Sequence, residues 1–127
     1  MLKTITCVAT VTKKRIVSIP KILYSRFNEE ALKNIGFFCD FEKKIIILPV
    51  QQNSKRVKLG GSALVYCCNK PRPYTSCTCW LQKNTARALN LNYNDLVQIV
   101  AEYDENGEGR IVIEKYEDYE EAKHGNN

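Results

Sequence analysis

The sequence has no hydrophobic run long enough to cross a lipid bilayer, because its longest apolar stretch, residues 45–50, is far shorter than the roughly 20 residues that a spanning helix needs. The N-terminal residues alternate in polarity and do not form an apolar run followed by a small-residue cleavage site, so no secretory signal is expected. We therefore predict a soluble, cytoplasmic protein that does not act at a membrane.

Histidine is almost absent, since the chain has only His124, which lies in a polar C-terminal segment. A Ser-His or Cys-His nucleophilic pair has no other imidazole to use as its base. The phosphate-binding patterns GxxxxGK[ST] and GxGxxG are also missing. The sequence thus predicts a protein that is not an enzyme and that needs no cofactor.

Acidic residues are scarce in most of the chain. Residues 1–89 hold 16 of the 19 Lys and Arg residues but only 4 of the 14 Asp and Glu residues, whereas residues 90–127 hold 3 and 10. The length of 127 residues suits one folded domain, so the basic part and the acidic part belong to one small body. A body of this kind attracts polyanions, nucleic acid first and anionic membrane surfaces second.

Six cysteines are many for such a chain, and four of them flank one turn: Cys67, Cys68, Cys77 and Cys79. Alternation puts Cys77 and Cys79 on one face of a strand, where only one of the other two can join them. A tetrahedral metal site would then need a fourth ligand from Cys7, Cys39 or His124. Buried free thiols are favoured over a cross-strand disulfide or a metal site.

The periodicity predicts a mainly β fold with short helices. Residues 4–12 alternate, which places Ile5, Cys7, Ala9 and Val11 on the inner face of a half-buried strand. Prolines are expected to end strands, and Pro20 to begin a helix. Further strands are expected at residues 16–19, 37–41, 45–48, 63–68, 74–81, 96–102 and 110–114, and helices at 21–28, 29–33 and 83–89.

The two halves of the chain repeat the same order of elements. At an offset of 62, Ile19-Pro20-Lys21 falls on Leu81-Gln82-Lys83, and Arg26-Phe27-Asn28 falls on Ala88-Leu89-Asn90. Each unit is too small to bury a good core alone, so the two are expected to complete one another. The predicted organisation is a first repeat over residues 1–50, a linker over 51–62, a second repeat over 63–115 and a flexible acidic tail over 116–127.

Two segments resemble the AbrB/SpoVT swapped-hairpin DNA-binding family. Residues 14–23, KRIVSIPKIL, are similar to its "grivIPkel" segment, and residues 87–113 are similar to its "aLgl.pGD.V.i…dg.IvI" pattern. Asn94 stands where the family has glycine, and Gln82 stands where the first half has Pro20. The resemblance implies a tandem swapped-hairpin, AbrB-like β-barrel in a duplicated, MraZ-like arrangement, with homodimers or higher oligomers whose basic loops contact duplex DNA.

The candidate DNA-binding residues lie on two matched basic turns and at the helix starts. Arginine can bond guanine in a bidentate manner, whereas lysine acts as a point charge on phosphate, so Arg15 and Arg72 are the candidates for base recognition. Both arginines are placed on exposed turns, and their joint replacement by alanine is expected to leave the melting temperature nearly unchanged. The full set is Lys13, Lys14, Arg15, Lys21, Lys70, Arg72, Lys83 and Arg87.

These features together predict a transcriptional regulator that binds double-stranded DNA. One alternative is an antitoxin-like protein whose acidic tail, residues 117–121, masks a basic toxin. Another is an interaction module whose basic face docks an acidic protein. Tyr66, Tyr74 and Trp80 near the second basic turn have two interpretations, stacking on single-stranded bases or core packing, and core packing is favoured.

Overall fold

The structure, a computed structural model, describes residues 2–32, 36–50, 65–67 and 77–116. The predicted alternation yields short strands joined by turns and by helices of four to six residues. In chain order the elements are β1 (Lys3–Thr10), β2 (Ile16–Ile19), α1 (Lys21–Tyr24), α2 (Glu29–Leu32), β3 (Gly36–Asp40), β4 (Ile45–Val50), β5 (Val65–Cys67), β6 (Cys77–Trp80), α3 (Lys83–Ala88), β7 (Leu96–Tyr103) and β8 (Gly109–Lys115). The prediction of a mainly β fold with short helices is confirmed.

Six of the strands form an open antiparallel sheet in the order β1-β7-β8-β4-β3-β5. The first strand of each half pairs with the other half, β1 with β7 and β5 with β3. Strands β1, β3 and β4 of the first half correspond to β5, β7 and β8 of the second half. When each strand is replaced by its counterpart, the order becomes β5-β3-β4-β8-β7-β1, which is the original order read backwards. The strand order is therefore two-fold symmetric, with the centre of symmetry between β4 and β8.

The other two strands, β2 and β6, form a separate antiparallel ribbon. Its register pairs Val17 with Cys79, two residues that lie 62 positions apart. Ile16 and Thr78 are also 62 positions apart, and so are Ser18 and Trp80. The offset therefore converts the pair of Ile16 with Trp80 into the pair of Thr78 with Ser18. The two-fold relation between the halves thus passes through the middle of the ribbon.

The hydrophobic core joins the ribbon, the helices and the inner face of the sheet. Fully burying a large aliphatic side chain adds about 1.5–3 kcal/mol to the free energy of unfolding. The buried positions are therefore the ones that contribute most to the stability of the fold. Corresponding positions of the two halves are buried together: Val17 and Cys79, Ile19 and Leu81, Leu23 and Thr85, Phe27 and Leu89. Both halves contribute to one core.

Helices α1 and α3 begin at corresponding residues. Pro20 precedes α1 with φ −61° and ψ 145°, and Gln82 precedes α3 with φ −68° and ψ 155°. Proline is restricted to this φ by its ring, whereas glutamine adopts it freely. The change from proline to glutamine in the second half therefore leaves the start of the helix unchanged.

In the described part of the second half, Asn90, Asn94 and Gly107 use the left-handed backbone region. Asn94 has φ +72°, a conformation that asparagine tolerates better than most residues other than glycine. Gly107 also has φ +72°, and a Cβ there would lie 2.7 Å from the backbone nitrogen of Asn28. That nitrogen donates to the Gly107 carbonyl at 2.8 Å, so the turn after β7 packs closely against the residue that precedes α2.

Two predicted boundaries are wrong. Helix α1 ends at Tyr24, and residues 25–27 form a turn. Strand β4 does not end before Pro49 but continues to Val50. The proline is tolerated because β4 pairs with β3 only over Ile45–Ile47, so beyond that point it needs backbone hydrogen bonds on the β8 side alone.

The two described strands that flank the prolines of the second half, β5 and β6, do not pair with each other. Strand β5 pairs with β3 in the large sheet, whereas β6 pairs with β2 in the ribbon. Cys67 and Cys79 therefore lie in different sheets and are not cross-strand neighbours. The predicted linker over 51–62 and residues 117–127 of the predicted tail lie outside the described residues. Among the residues that are described, no helix has the length and apolar character needed to span a membrane.

Candidate nucleic-acid interface

The turn between β1 and β2 presents two lysines at its tip. The Arg15 N–H donates to the Thr12 carbonyl at 2.9 Å, and Thr12 Oγ1 accepts from the Ile16 N–H at 3.0 Å. Arg15 has φ +63°, the geometry of a three-residue loop that ends in a left-handed residue. Lys13 and Lys14 are consequently exposed at the end of a hydrogen-bonded turn.

Arg15 is bound to the other half of the chain. Its Nε donates to the Leu81 carbonyl at 3.1 Å, and the Leu81 N–H donates back to the Arg15 carbonyl at 2.9 Å. The side chain is half-buried and not on an exposed turn. The expectation that its replacement leaves the melting temperature unchanged is therefore not supported.

Trp80 lies beside the same turn and is largely exposed to solvent. Its Nε1 donates to the Lys14 carbonyl at 3.0 Å, while 67% of the residue's surface is accessible. The core-packing interpretation is wrong for this residue. The exposure of Trp80 was predictable from alternation, because Cys79 and Leu81 face inward and the residue between them must face outward. Tyr74 and the side chain of Tyr66 lie outside what the structure describes.

Helix α3 brings two more predicted residues to this end of the ribbon. The helix begins two residues after Leu81, so Lys83 follows closely on the contact with Arg15. Arg87 is four residues further along and shares a helix face with Lys83. Both side chains are exposed.

The remaining predicted residues are elsewhere. Lys21 is exposed at the start of α1, which follows Ile19 at the opposite end of the ribbon. Lys70 and Arg72 lie outside the described residues. The structure thus brings together the first basic turn and the start of α3, and it separates them from Lys21.

Three further lysines were not among the predicted site residues. Lys43 and Lys44 occupy the turn between β3 and β4, and Lys115 ends β8; all three line an open cleft of about 470 Å³ together with Asn90. Lys115 Nζ lies 3.5 Å from the Asp95 carboxylate and 3.4 Å from the Asn90 carbonyl. Since Asn90 follows α3 by two residues, this cleft lies beyond the far end of that helix. The turn that contains Lys43 and Lys44 is predictable from the sequence. Its position beside Lys115 is not, because that position depends on the pairing of β4 with β8.

Cys7, Cys39 and Cys79 are free thiols. Cys39 and Cys79 are buried and Cys7 is half-buried. Burial raises the pKa of the Cys39 thiol from 9.0 to about 12, because the thiolate would lose its hydration. The described residues contain no group of three or more His, Cys, Asp and Glu side chains that is placed to hold a metal ion.

Comparison of the chain with protein-family models, with curated proteins and with solved structures found no match. The resemblance to the AbrB/SpoVT family consequently depends on the short motifs alone and stays a prediction.

Proposed function

We propose that the protein binds double-stranded DNA as a transcriptional regulator, with the β2–β6 ribbon and the residues at its two ends as the contact surface. The observation on which this proposal depends is the grouping of Lys13, Lys14 and Arg15 with Lys83 across the two halves of the chain. The segments that form the ribbon and its flanks, residues 11–28 and 77–94, contain no Asp or Glu. A surface of one sign of charge attracts phosphate from a distance and retains it through counterion release.

The dimensions of the ribbon suit a duplex. Four residues per strand give a length of about 10 Å, and a two-stranded ribbon fits the major groove, which is about 12 Å wide. The outward positions are Ile16, Ser18, Thr78 and Trp80, which combine two hydroxyls with two apolar groups. Hydroxyl groups can bond base edges, and the flanking lysines can position the backbone.

A tandem swapped-hairpin arrangement is the topology that we propose for this binder. The exchange of β1 and β5 between the halves, and the pairing of Val17 with Cys79, support it. In such an arrangement one chain presents two related basic turns at opposite ends of one ribbon. This favours a DNA site with two similar halves.

Fluorescence anisotropy with a mixed-sequence duplex tests the proposal, with measurements at several salt concentrations and with a single-stranded control. We expect binding that weakens steeply as salt increases. The variant Lys13→Gln/Lys14→Gln removes two exposed charges and is expected to lower the logarithmic salt slope by about 2, because each phosphate contact contributes about 0.9.

The matched control is Lys3→Gln/Arg110→Gln, which also removes two positive charges. These residues pair with Tyr103 and Glu102, at the end of the sheet that is remote from the first basic turn. We expect the control to keep most of the salt slope. An absence of duplex binding at low salt, or equal losses in the two double variants, would contradict the proposed interface.

A further inference from the structure

Trp80 is exposed although burial of its ring would stabilise the fold. Aromatic side chains bury 150–250 Å² each when they enter a core, and they dominate the energetics of cores and interfaces. Here 67% of the residue is accessible, whereas its two neighbours in the chain, Cys79 and Leu81, are fully buried. The strand therefore supplies its apolar residues to the core on one face and offers the indole on the other.

The indole is fixed in this exposed position. Its Nε1 donates to the Lys14 carbonyl at 3.0 Å, and its strand position is set by pairing with Ile16. Because Nε1–H is the only hydrogen-bond donor of the ring, the rest of the surface that the ring presents is apolar and aromatic. A side chain that is already held in place loses little conformational freedom when a partner binds.

The surroundings of the ring select the kind of partner. Lys13 and Lys14 stand on the turn to which the indole is bound, and Lys83 follows three residues later. A polyanion that also offers flat apolar groups matches both features, and nucleic acids combine phosphates with bases and sugars in this way. The exposed Ser18 and the half-buried Thr78 on the same ribbon face favour a nucleic acid over a lipid surface, which would bind a continuous apolar face.

The corresponding position in the first half has no aromatic residue. Ser18 stands 62 residues before Trp80 and is also exposed. The two ends of the ribbon consequently offer different groups to a ligand, in spite of the symmetric strand pairing.

We propose that Trp80 contacts the nucleic acid directly, packing its exposed ring against a base or sugar at one end of the ribbon, so that the two halves of a binding site are recognised unequally. This inference rests on the proposed function, because it names the contact that the same surface makes with DNA.

The protein has one tryptophan, so its fluorescence reports on Trp80 alone when it is excited at the red edge, where tyrosine does not absorb. The full chain is titrated with the mixed-sequence duplex at low salt, and tryptophan emission and the anisotropy of labelled DNA are followed together. We expect quenching or a spectral shift of the emission, with the same midpoint as the anisotropy change.

Two variants separate the ring from its hydrogen bond. Trp80→Ser reproduces the residue of the first half and is expected to weaken duplex binding about tenfold, because the apolar area that the ring would bury against the DNA is lost. Its salt slope is expected to stay unchanged, because no charge is removed. Trp80→Phe keeps an aromatic ring without the N–H and is expected to retain most of the affinity. Val8→Ser, at an exposed position on the outer face of β1, is the matched control and is expected to bind as the parent protein does.

The outcomes distinguish this inference from the proposed function. Normal duplex binding with unchanged emission, and with full affinity in Trp80→Ser, would overturn the role of Trp80 and leave the proposed function in place. Preferred binding of the single strand with strong quenching would support the role of Trp80 and overturn duplex recognition. An emission change with anionic phospholipid vesicles, but none with either nucleic acid, would overturn both.

Discussion

The two ends of the ribbon have the same backbone and different surfaces. Pro20 and Gln82 adopt nearly the same conformation before the two helices, and Val17 pairs with Cys79 at the centre. At the outward position, however, one end has Ser18 and the other has Trp80. The comparison teaches that packing determines the buried positions of both halves in the same way, whereas the exposed positions are free to differ and can acquire separate binding roles.

The most severe test of this comparison is a matched pair of core truncations, Ile19→Ala and Leu81→Ala. Both residues are buried, at 1% and 0% exposure, and they occupy corresponding places beside the ribbon. Removing a large aliphatic side chain from a core costs about 2–5 kcal/mol. We expect both variants to lose stability within this range, as measured by denaturant unfolding.

A large loss in one truncation and almost none in the other would contradict the single shared core. Val8→Ala serves as the control, because Val8 is 49% exposed and its truncation leaves no cavity. Its stability is expected to stay close to that of the parent protein.

A second difference lies between the corresponding strands β3 and β7, because only β3 buries a titratable side chain. Strand β3 of the first half buries Cys39, whereas β7 of the second half buries Val97, Ile99 and Ala101. Burial raises the pKa of the Cys39 thiol from 9.0 to about 12. Well below pH 9.0 the thiol is protonated in both the folded and the unfolded state, so it causes no dependence of stability on pH there.

Above pH 9.0 the unfolded chain releases the proton of Cys39 and the folded chain keeps it, so the free energy of unfolding falls as pH rises. The contribution of this thiol is at most about 1.4 kcal/mol per pH unit until the folded pKa is reached. We expect Cys39→Val to lose less stability than the parent protein in denaturant unfolding at increasing pH above 9.0. Parallel curves for the two proteins would show that Cys39 is not the source.

Much of the fold follows from the sequence, because a period of two fixes which face of a strand is buried. The inward positions of β1 and the offset that relates Val17 to Cys79 are both visible in the residues themselves. The strand partners are not visible, because alternation is equally satisfied by a hairpin and by an exchanged pairing. For this reason alternation alone did not predict the pairing of β5 with β3 or the resulting separation of Cys67 from Cys79.

The candidate site was predictable in its charges and less so in its geometry. The lysines of the first turn and of α3 are evident from the sequence, but their proximity depends on a hydrogen bond between residues 66 positions apart, Arg15 and Leu81. The lysine pair at 43 and 44 joins Lys115 through strand pairing that no local pattern indicates. The geometry of the site could not be predicted because it depends on which distant strands pair, and the residue types do not reveal that pairing.

The smallest expected effect concerns the two cationic neighbours Lys14 and Arg15, and it sharpens the comparison between the first turn and the half against which it packs. The Arg15 Nε donates to the Leu81 carbonyl at 3.1 Å, whereas Lys14 is exposed. A hydrogen bond from a charged group is typically stronger than a neutral one, but this side chain is only half-buried, so we expect Arg15→Lys to reduce stability by about 1 kcal/mol. Lys14→Gln is expected to leave the free energy of unfolding unchanged, and both variants are compared by denaturant unfolding.

Since Arg15→Lys keeps the positive charge, its salt slope for DNA binding is expected to match that of the parent protein. A lower slope with unchanged stability would instead place the Arg15 guanidinium on the nucleic acid.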